Sequence, residues 1–216
     1  RQRMNLVRRL GVVFGQRTQL WWDLPVRESF YLLKEIYEVD DRGFNQNMEF
    51  FFDTLNLRDI WDRPVRSLSL GLRMRAEIAA AFVHNPEFVI LDEPTVGLDV
   101  LAKDQIRKFL REINAQRKTT ILLTTHDLRD IEEICERIIL IDQGAIRYEG
   151  TLSGLMAAYG KRRFVTVDLE RPCTIPPTLE GVTLEQASDR RLVFSYDRTA
   201  LAASDVISAI ASVLPA

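Results

Sequence analysis

Cysteine is scarce in this sequence, no apolar stretch is long, and neither sign of charge dominates. The two cysteines among 216 residues, Cys135 and Cys173, lack the spacing of a metal site. They argue against a disulfide framework and fit a reduced, cytosolic setting. No apolar run approaches the ~20 residues that a bilayer-spanning helix needs. A net charge of −2 makes no electrostatic case for nucleic acid or an anionic lipid surface. Neither an internal repeat nor a sustained heptad pattern is found. The phosphate-binding loop G-x-x-x-x-G-K-[ST] is also missing. Its nearest approach, Gly154 to Gly160-Lys161, has five residues between the glycines and Arg162 where Ser or Thr is required.

What is present is an ordinary globular balance, 46% hydrophobic and 28% charged residues, enough for one domain with a real core and a small appendage. The most informative stretch runs from residue 68 to residue 99. Val89-Ile90-Leu91 is short, β-branched and bounded by polar residues, which predicts a buried strand. Asp92 and Glu93 then stand at its carboxyl end, where ligands bind in open α/β sheets. Two adjacent carboxylates there can divide the work of nucleotide hydrolysis, one holding Mg²⁺ through water and the other orienting or deprotonating the attacking water. The same residues taken alone also fit a strand followed by a helix-capping aspartate. Ser69 is placed to cap a helix through Met74, Ile78, Ala79 and Phe82. The free N–H groups of that helix end suit a phosphate, and Gly71 allows close backbone approach.

In chain order, five segments resemble motifs of the ATP-binding cassette family, the motor subunits of ABC transporters. Val13-Phe14-Gly15-Gln16 is similar to the Q-loop and Leu68-Ser69-Leu70-Gly71 to the signature LSGGQ. Phe88 to Glu93 resembles the Walker B strand with its catalytic glutamate, and Gly97-Leu98-Asp99 the D-loop. Ile121 to Asp127 resembles the strand and switch histidine, His126. The resemblance covers most of the first 150 residues. It implies an α/β fold, a RecA-like P-loop NTPase sheet with an inserted helical subdomain at about 27–83. The first strands and the Walker A segment of that fold are expected to precede residue 1. It implies ATP and Mg²⁺ as cofactors. Asp92 would bind Mg²⁺ through water, Glu93 would be the general base, and Gln16 would contact the metal and sense water. His126 would hold the γ-phosphate and Asp99 would couple across a dimer. Ser69 and Gly71 would bind the γ-phosphate of ATP held by a second cassette, in a head-to-tail pair. Leu72 departs from the family, which usually has Gln there, and is expected to weaken that contact. The other implied partner is a transmembrane permease, with the chain peripheral at the cytoplasmic face of the membrane; no nucleic acid is implied.

Leu20 to Val26 and Leu68 to Arg75 resemble the drug-efflux-like, ABC-2-type exporters. Trp21 and Trp22 either pack in the core or belong to the surface that docks a membrane domain. Helical periodicity over 27–62 is expected to break at Asp40-Asp41-Arg42-Gly43. Arg73 and Arg75 are expected in surface or interdomain ion pairs, and His84 is expected to be structural. Strands are predicted at 119–124, 138–141 and 146–148, and helices at 102–115, 128–135 and 150–159. The cassette is expected to span 1–160. Residues 161–216 form a small α+β appendage, with alternating strands near 165–169 and 192–196, a loop at Pro172, Pro176 and Pro177, and a helix opened by Ser204. The function implied is ATP hydrolysis that drives transport, with the 216 residues alone expected to be inactive. Two alternatives stand beside it: a truncated or degenerate cassette acting as a non-enzymatic partner, and a non-transport ABC ATPase.

Overall fold

A computed structural model describes residues 6–15, 17–170 and 179–213. Gln16, Pro172, Cys173, Pro176 and Pro177 therefore lie outside the described residues. The chain divides into two compact units, Arg1–Cys135 and Glu136–Ala216.

The first unit is built on three parallel strands in the order β1-β2-β3: β1 Leu10–Phe14, β2 Phe88–Asp92 and β3 Thr120–Thr124. Their register aligns the carboxyl ends, pairing Phe14 with Asp92 and Asp92 with Thr124. Val13, Val89 and Leu91 turn inward and are buried. Three helices lie between β1 and β2. In α1 (Val26–Ile36), the buried Val26, Phe30 and Leu33 form an apolar stripe at helical spacing. In α2 (Asp41–Leu55), the side chain of Asp40 accepts a hydrogen bond from the Gly43 amide and starts the helix, and Asn56 ends it in the left-handed conformation. The expected break thus falls before Asp41. Capping by Asp40 draws Asp41, Arg42 and Gly43 into the first turn. Ser69 opens α3 (Leu70–Phe82). Helix α4 (Val100–Arg117) joins β2 to β3, and α5 (Leu128–Ile134) follows β3.

Aromatic rings tie the helices together. Phe109 of α4 lies 5.8 Å from Phe51 and 5.7 Å from Phe50 of α2, and 5.4 Å from Phe82 of α3, in edge-on or tilted contacts. His84 is structural, as expected. Its ring stacks on Tyr37 at 3.8 Å and its Nε2 lies 3.2 Å from the Leu10 carbonyl. Among the described residues, Arg73 and Arg75 do not form the expected ion pairs. The Arg75 guanidinium donates to the Leu55 carbonyl and to Gln105 Oε1, and Arg73 lies over the Trp22 ring. The helix packing half-buries Arg75, so its hydrogen bonds go to neutral oxygens while Asp59 and Asp99 act on it only at longer range. Trp21 and Trp22 both reach solvent, 39% and 47% exposed.

The second unit contains an antiparallel hairpin, β4 (Ile138–Asp142) and β5 (Ala145–Gly150), then α6 (Leu152–Tyr159). A three-stranded sheet in the order β6-β8-β7 follows, from β6 (Arg162–Asp168), β7 (Val182–Ser188) and β8 (Arg191–Asp197), with α7 (Ala203–Val213). Leu192, Phe194, Tyr196, Val206 and Ile210 form a separate small core. No helix among the described residues is long and apolar enough to cross a membrane.

Phe109 is fully buried where α2, α3 and α4 meet. Phe109→Ala is expected to cost the first unit about 3–5 kcal/mol, measured by urea unfolding followed through its tryptophans.

Candidate active site

At the carboxyl edge of the sheet, β2 delivers Asp92 and then Glu93. Glu93 adopts φ 47°, the left-handed region that a side-chain-bearing residue enters at a cost of about 1–2 kcal/mol. Its amide is held by the neighbouring strand, donating to the Thr124 carbonyl at 3.1 Å and to Thr124 Oγ1 at 3.0 Å. The same Thr124 hydroxyl donates to Asp92 Oδ1 at 2.6 Å. One threonine therefore fixes both carboxylate residues. His126 lies beyond the end of β3, and its Nδ1–H donates to Glu93 Oε1 at 3.1 Å. Glu93 Oε2 makes no hydrogen bond among the described residues. Side chains of Glu93 and His126 are 48% and 74% exposed, so both remain accessible to a ligand. Phe14, Gly15, Arg17, Asp92 and Glu93 line a cleft at this edge. A larger cavity, lined by Asn47, Phe88, Arg117 and Thr120 among others, opens at the amino-terminal end of β2 and β3, away from these groups.

The second set of expected site residues gathers where α3 and α4 begin. Ser69 Oγ accepts from the Leu72 amide at 3.3 Å and Asp99 Oδ1 accepts from the Ala102 amide at 2.8 Å, so each caps its own helix. A methyl group on Gly71 would stand 3.1 Å from Ala102 Cβ and 3.9 Å from Asp99 Oδ2. The close approach that Gly71 permits is thus to α4 of its own chain. Gly97, at φ 73°, faces Leu70 in the same way, so the 97–99 turn is seated against the start of α3. The structure brings Asp92, Glu93 and His126 together, and Ser69, Gly71 and Asp99 together. Among the described residues no hydrogen bond joins the two sets.

Three polar residues escaped the sequence reading. Thr124 is one. Glu77 of α3 is another, buried on a helix face that is otherwise apolar. It takes the Thr18 hydroxyl and, at 3.1 Å, the Gln19 amide, while the Gln19 side chain donates back to the Glu77 carbonyl oxygen. Burial pushes its carboxyl above the usual range. Its only signal in the sequence is a charge inside the run Ala76 to Phe82. The third is Asp130, fully buried on α5, with Arg107 against it.

The donor set suits Mg²⁺, which prefers hard oxygens and is usually held by one or two carboxylates, with waters and phosphate completing its shell. Asp92 presents such an oxygen at an exposed strand end, with its rotamer set by Thr124.

Known proteins resemble this chain in sequence and in fold. The ABC transporter family profile matches residues 1–96. The chain is 29% identical over 155 residues to the ABC transporter ATP-binding protein NatA of Bacillus subtilis, covering 72% of this chain and 63% of NatA. It is 31% identical over 190 residues to the daunorubicin resistance ATP-binding protein DrrA3 of Streptomyces coeruleorubidus, covering 86% of this chain and 58% of DrrA3. The chain thus spans less than two thirds of the length of each. Among solved structures, cbiO1 from Clostridium perfringens, part of the ABC transporter complex cbiONQ, superposes with a TM-score of 0.62 at 25% identity, over 71% of this chain and 61% of cbiO1. A dimeric post-hydrolysis state of an ATP-binding cassette bound to ADP and Pi gives 0.59 at 26% identity, over 70% and 67% of the two chains. The α/β fold is the RecA-like ABC ATPase fold over that part. Residues 1–96 thus match the ABC transporter family, and the chain is similar to ATP-binding proteins of that family over the lengths given.

Thr124 makes the one side-chain hydrogen bond to Asp92 among the described residues. Thr124→Val is expected to leave the fold intact at a cost of about 1 kcal/mol and to free the Asp92 side chain. Chemical denaturation and side-chain NMR couplings check this.

Proposed function

We propose that this cassette hydrolyses ATP to drive an ABC transporter, of the ABC-2 exporter type. The observation that carries the reading is the hydrogen-bonded chain Asp92–Thr124–Glu93–His126 at the carboxyl edge of a parallel sheet. In this reading Glu93 Oε2, which is not engaged by His126, accepts a proton from the attacking water as its oxygen bonds to the γ-phosphorus and the bond to ADP breaks. With Nδ1–H given to Glu93, His126 has Nε2 left for the γ-phosphate. Asp92 would hold Mg²⁺, through water in this reading, and the bound ion would neutralise charge on the phosphate oxygens. Gln16 is assigned to sensing the metal and water.

Ser69 and Gly71 are assigned to the γ-phosphate of ATP on a second cassette, paired head to tail, and Asp99 to coupling across that dimer. The dimeric ADP-bound relative supports the pairing. The exposed Trp21, Trp22 and Leu24 are the surface we assign to a transmembrane permease, which would place the cassette at the cytoplasmic face of the membrane; cbiO1, part of a transporter complex, supports a permease partner. The daunorubicin resistance relative supports the exporter type. We also propose that the motor extends to residue 160 and that 161–216 is accessory, a boundary supported by the separate core of the β6-β8-β7 sheet and α7.

In a protein that carries these residues together with a Walker A segment, Glu93→Gln is expected to keep ATP binding and to slow turnover by roughly a hundredfold or more, measured by phosphate release. Unchanged turnover would overturn the reading. The 216 residues alone contain no G-x-x-x-x-G-K-[ST] and so none of that loop's backbone N–H groups or its lysine. Isothermal titration with Mg·ATP is expected to show no stoichiometric binding.

A further inference from the structure

We propose that Asp130 is a positioning residue that sets the separation of Glu93 and His126, by holding one threonine hydroxyl from each of their loops on a single buried oxygen. This rests on the reading of Glu93 and His126 as a hydrolysis pair. Thr95 stands two residues beyond Glu93 and Thr125 directly precedes His126. The Thr95 hydroxyl donates to Asp130 Oδ2 at 2.5 Å, and the Thr125 hydroxyl donates to the same oxygen at 3.0 Å. Thr125 Oγ1 in turn accepts from the Asp127 amide at 3.0 Å, fixing the turn after His126.

The other carboxylate oxygen is spoken for. Arg107 of α4 donates from Nε to Asp130 Oδ1 at 2.7 Å. Asp130 and Arg107 are 0% and 1% exposed, so neither has water as a substitute partner. The remaining guanidinium nitrogens face Asp104 at 3.0 Å, Asp127 at 3.5 Å and Glu133 at 3.8 Å, and Asp127 also takes Lys103 at 2.7 Å. The Asp130 carboxylate is thereby anchored to α4 and cannot follow either loop. By contrast, the His126 ring is largely exposed, and its one polar side-chain contact among the described residues is Glu93. Thr124 holds the Glu93 amide, but among the described residues no other polar contact holds the His126 ring. The loops beyond Thr124 and Glu93 are held from beneath, where both are pinned to one atom. A misplacement of about 1 Å in a catalytic pair can cost ~10²-fold in rate, so this pinning bears on turnover more than on nucleotide binding.

Breaking the Asp130–Arg107 pair itself would leave a buried charge and unfold the site, so the test uses the threonines. In the full-length protein that carries this cassette, Thr95→Val and Thr125→Val are expected to lower kcat about tenfold each while KM for ATP stays within about twofold. The double variant is expected to lose little more than either single one, because both hydroxyls act through one oxygen. Thr95→Ser, which keeps the hydroxyl and drops the methyl, is expected to restore kcat. Thr95→Ala and Thr125→Ala, read in the same way, replace any valine variant that does not fold. An unchanged kcat in the folded variants overturns the proposal. So does a reduced kcat that serine fails to restore, since that loss belongs to packing. Glu93→Gln in the same protein separates the two readings. If it leaves turnover unchanged, the hydrolysis pair itself is misassigned; if it abolishes turnover while the threonine variants are silent, the positioning role alone falls.

Discussion

The parallel register that pairs Asp92 with Thr124 is the constraint on which the site rests. Strands β2 and β3 end together, so the residue after β2 and the residues after β3 emerge side by side. A slip of one residue would turn every side chain of a strand to the other face, carry Thr124 away from Asp92, and remove the acceptors for the Glu93 amide. Burial of Val89 and Leu91 on one face opposes that slip. The core therefore does more than stabilise the unit, because it sets the frame in which the exposed side chains of Glu93 and His126 meet.

Electrostatics follow a division between surface and interior. Pairs such as Arg9–Glu87 and Arg191–Asp168 are well formed but exposed. Pairs of that kind contribute about 0–1 kcal/mol. Arg107–Asp130 and Glu77 differ because they are buried, and each spends its polar atoms on segments next to the proposed chemistry: Thr95 and Thr125 for Asp130, Thr18 and Gln19 for Glu77. Buried charge is costly unless fully partnered. Where it is partnered, it specifies one arrangement of the loops it joins.

Around Ser69, apolar side chains fix the start of α3. Leu70 packs against Gly97, and Leu72 joins the edge of the main core. The two leucines thus seat the 97–99 turn and the start of α3 against the body of the unit, beside the Ser69 cap and the Gly71 contact with α4.

Local chemistry determined much of this by itself. The short β-branched run predicted β2. The Asp99 cap that starts α4 at Val100, two residues before the expected 102, was not legible, whereas a capping residue placed the start of α3 at Ser69 and the strand ends brought Asp92 and His126 to one sheet edge. These are properties of neighbours in sequence, set by backbone propensity, side-chain capping and hydrophobic period. Strand β7 was not legible in that way. Its residues are almost all exposed, and it is a strand because it pairs with β8. Thr124, Glu77 and Asp130 were equally silent. A threonine at a strand end or a carboxylate on a helix acquires a role only when folding removes water and supplies a partner 31 to 59 residues away, as Glu93, Thr95 and Thr18 do for them. The tertiary structure decided those contacts, because a hydrogen bond between distant residues has no signature in the local sequence, and the cost of leaving such a group unpaired arises only once it is buried.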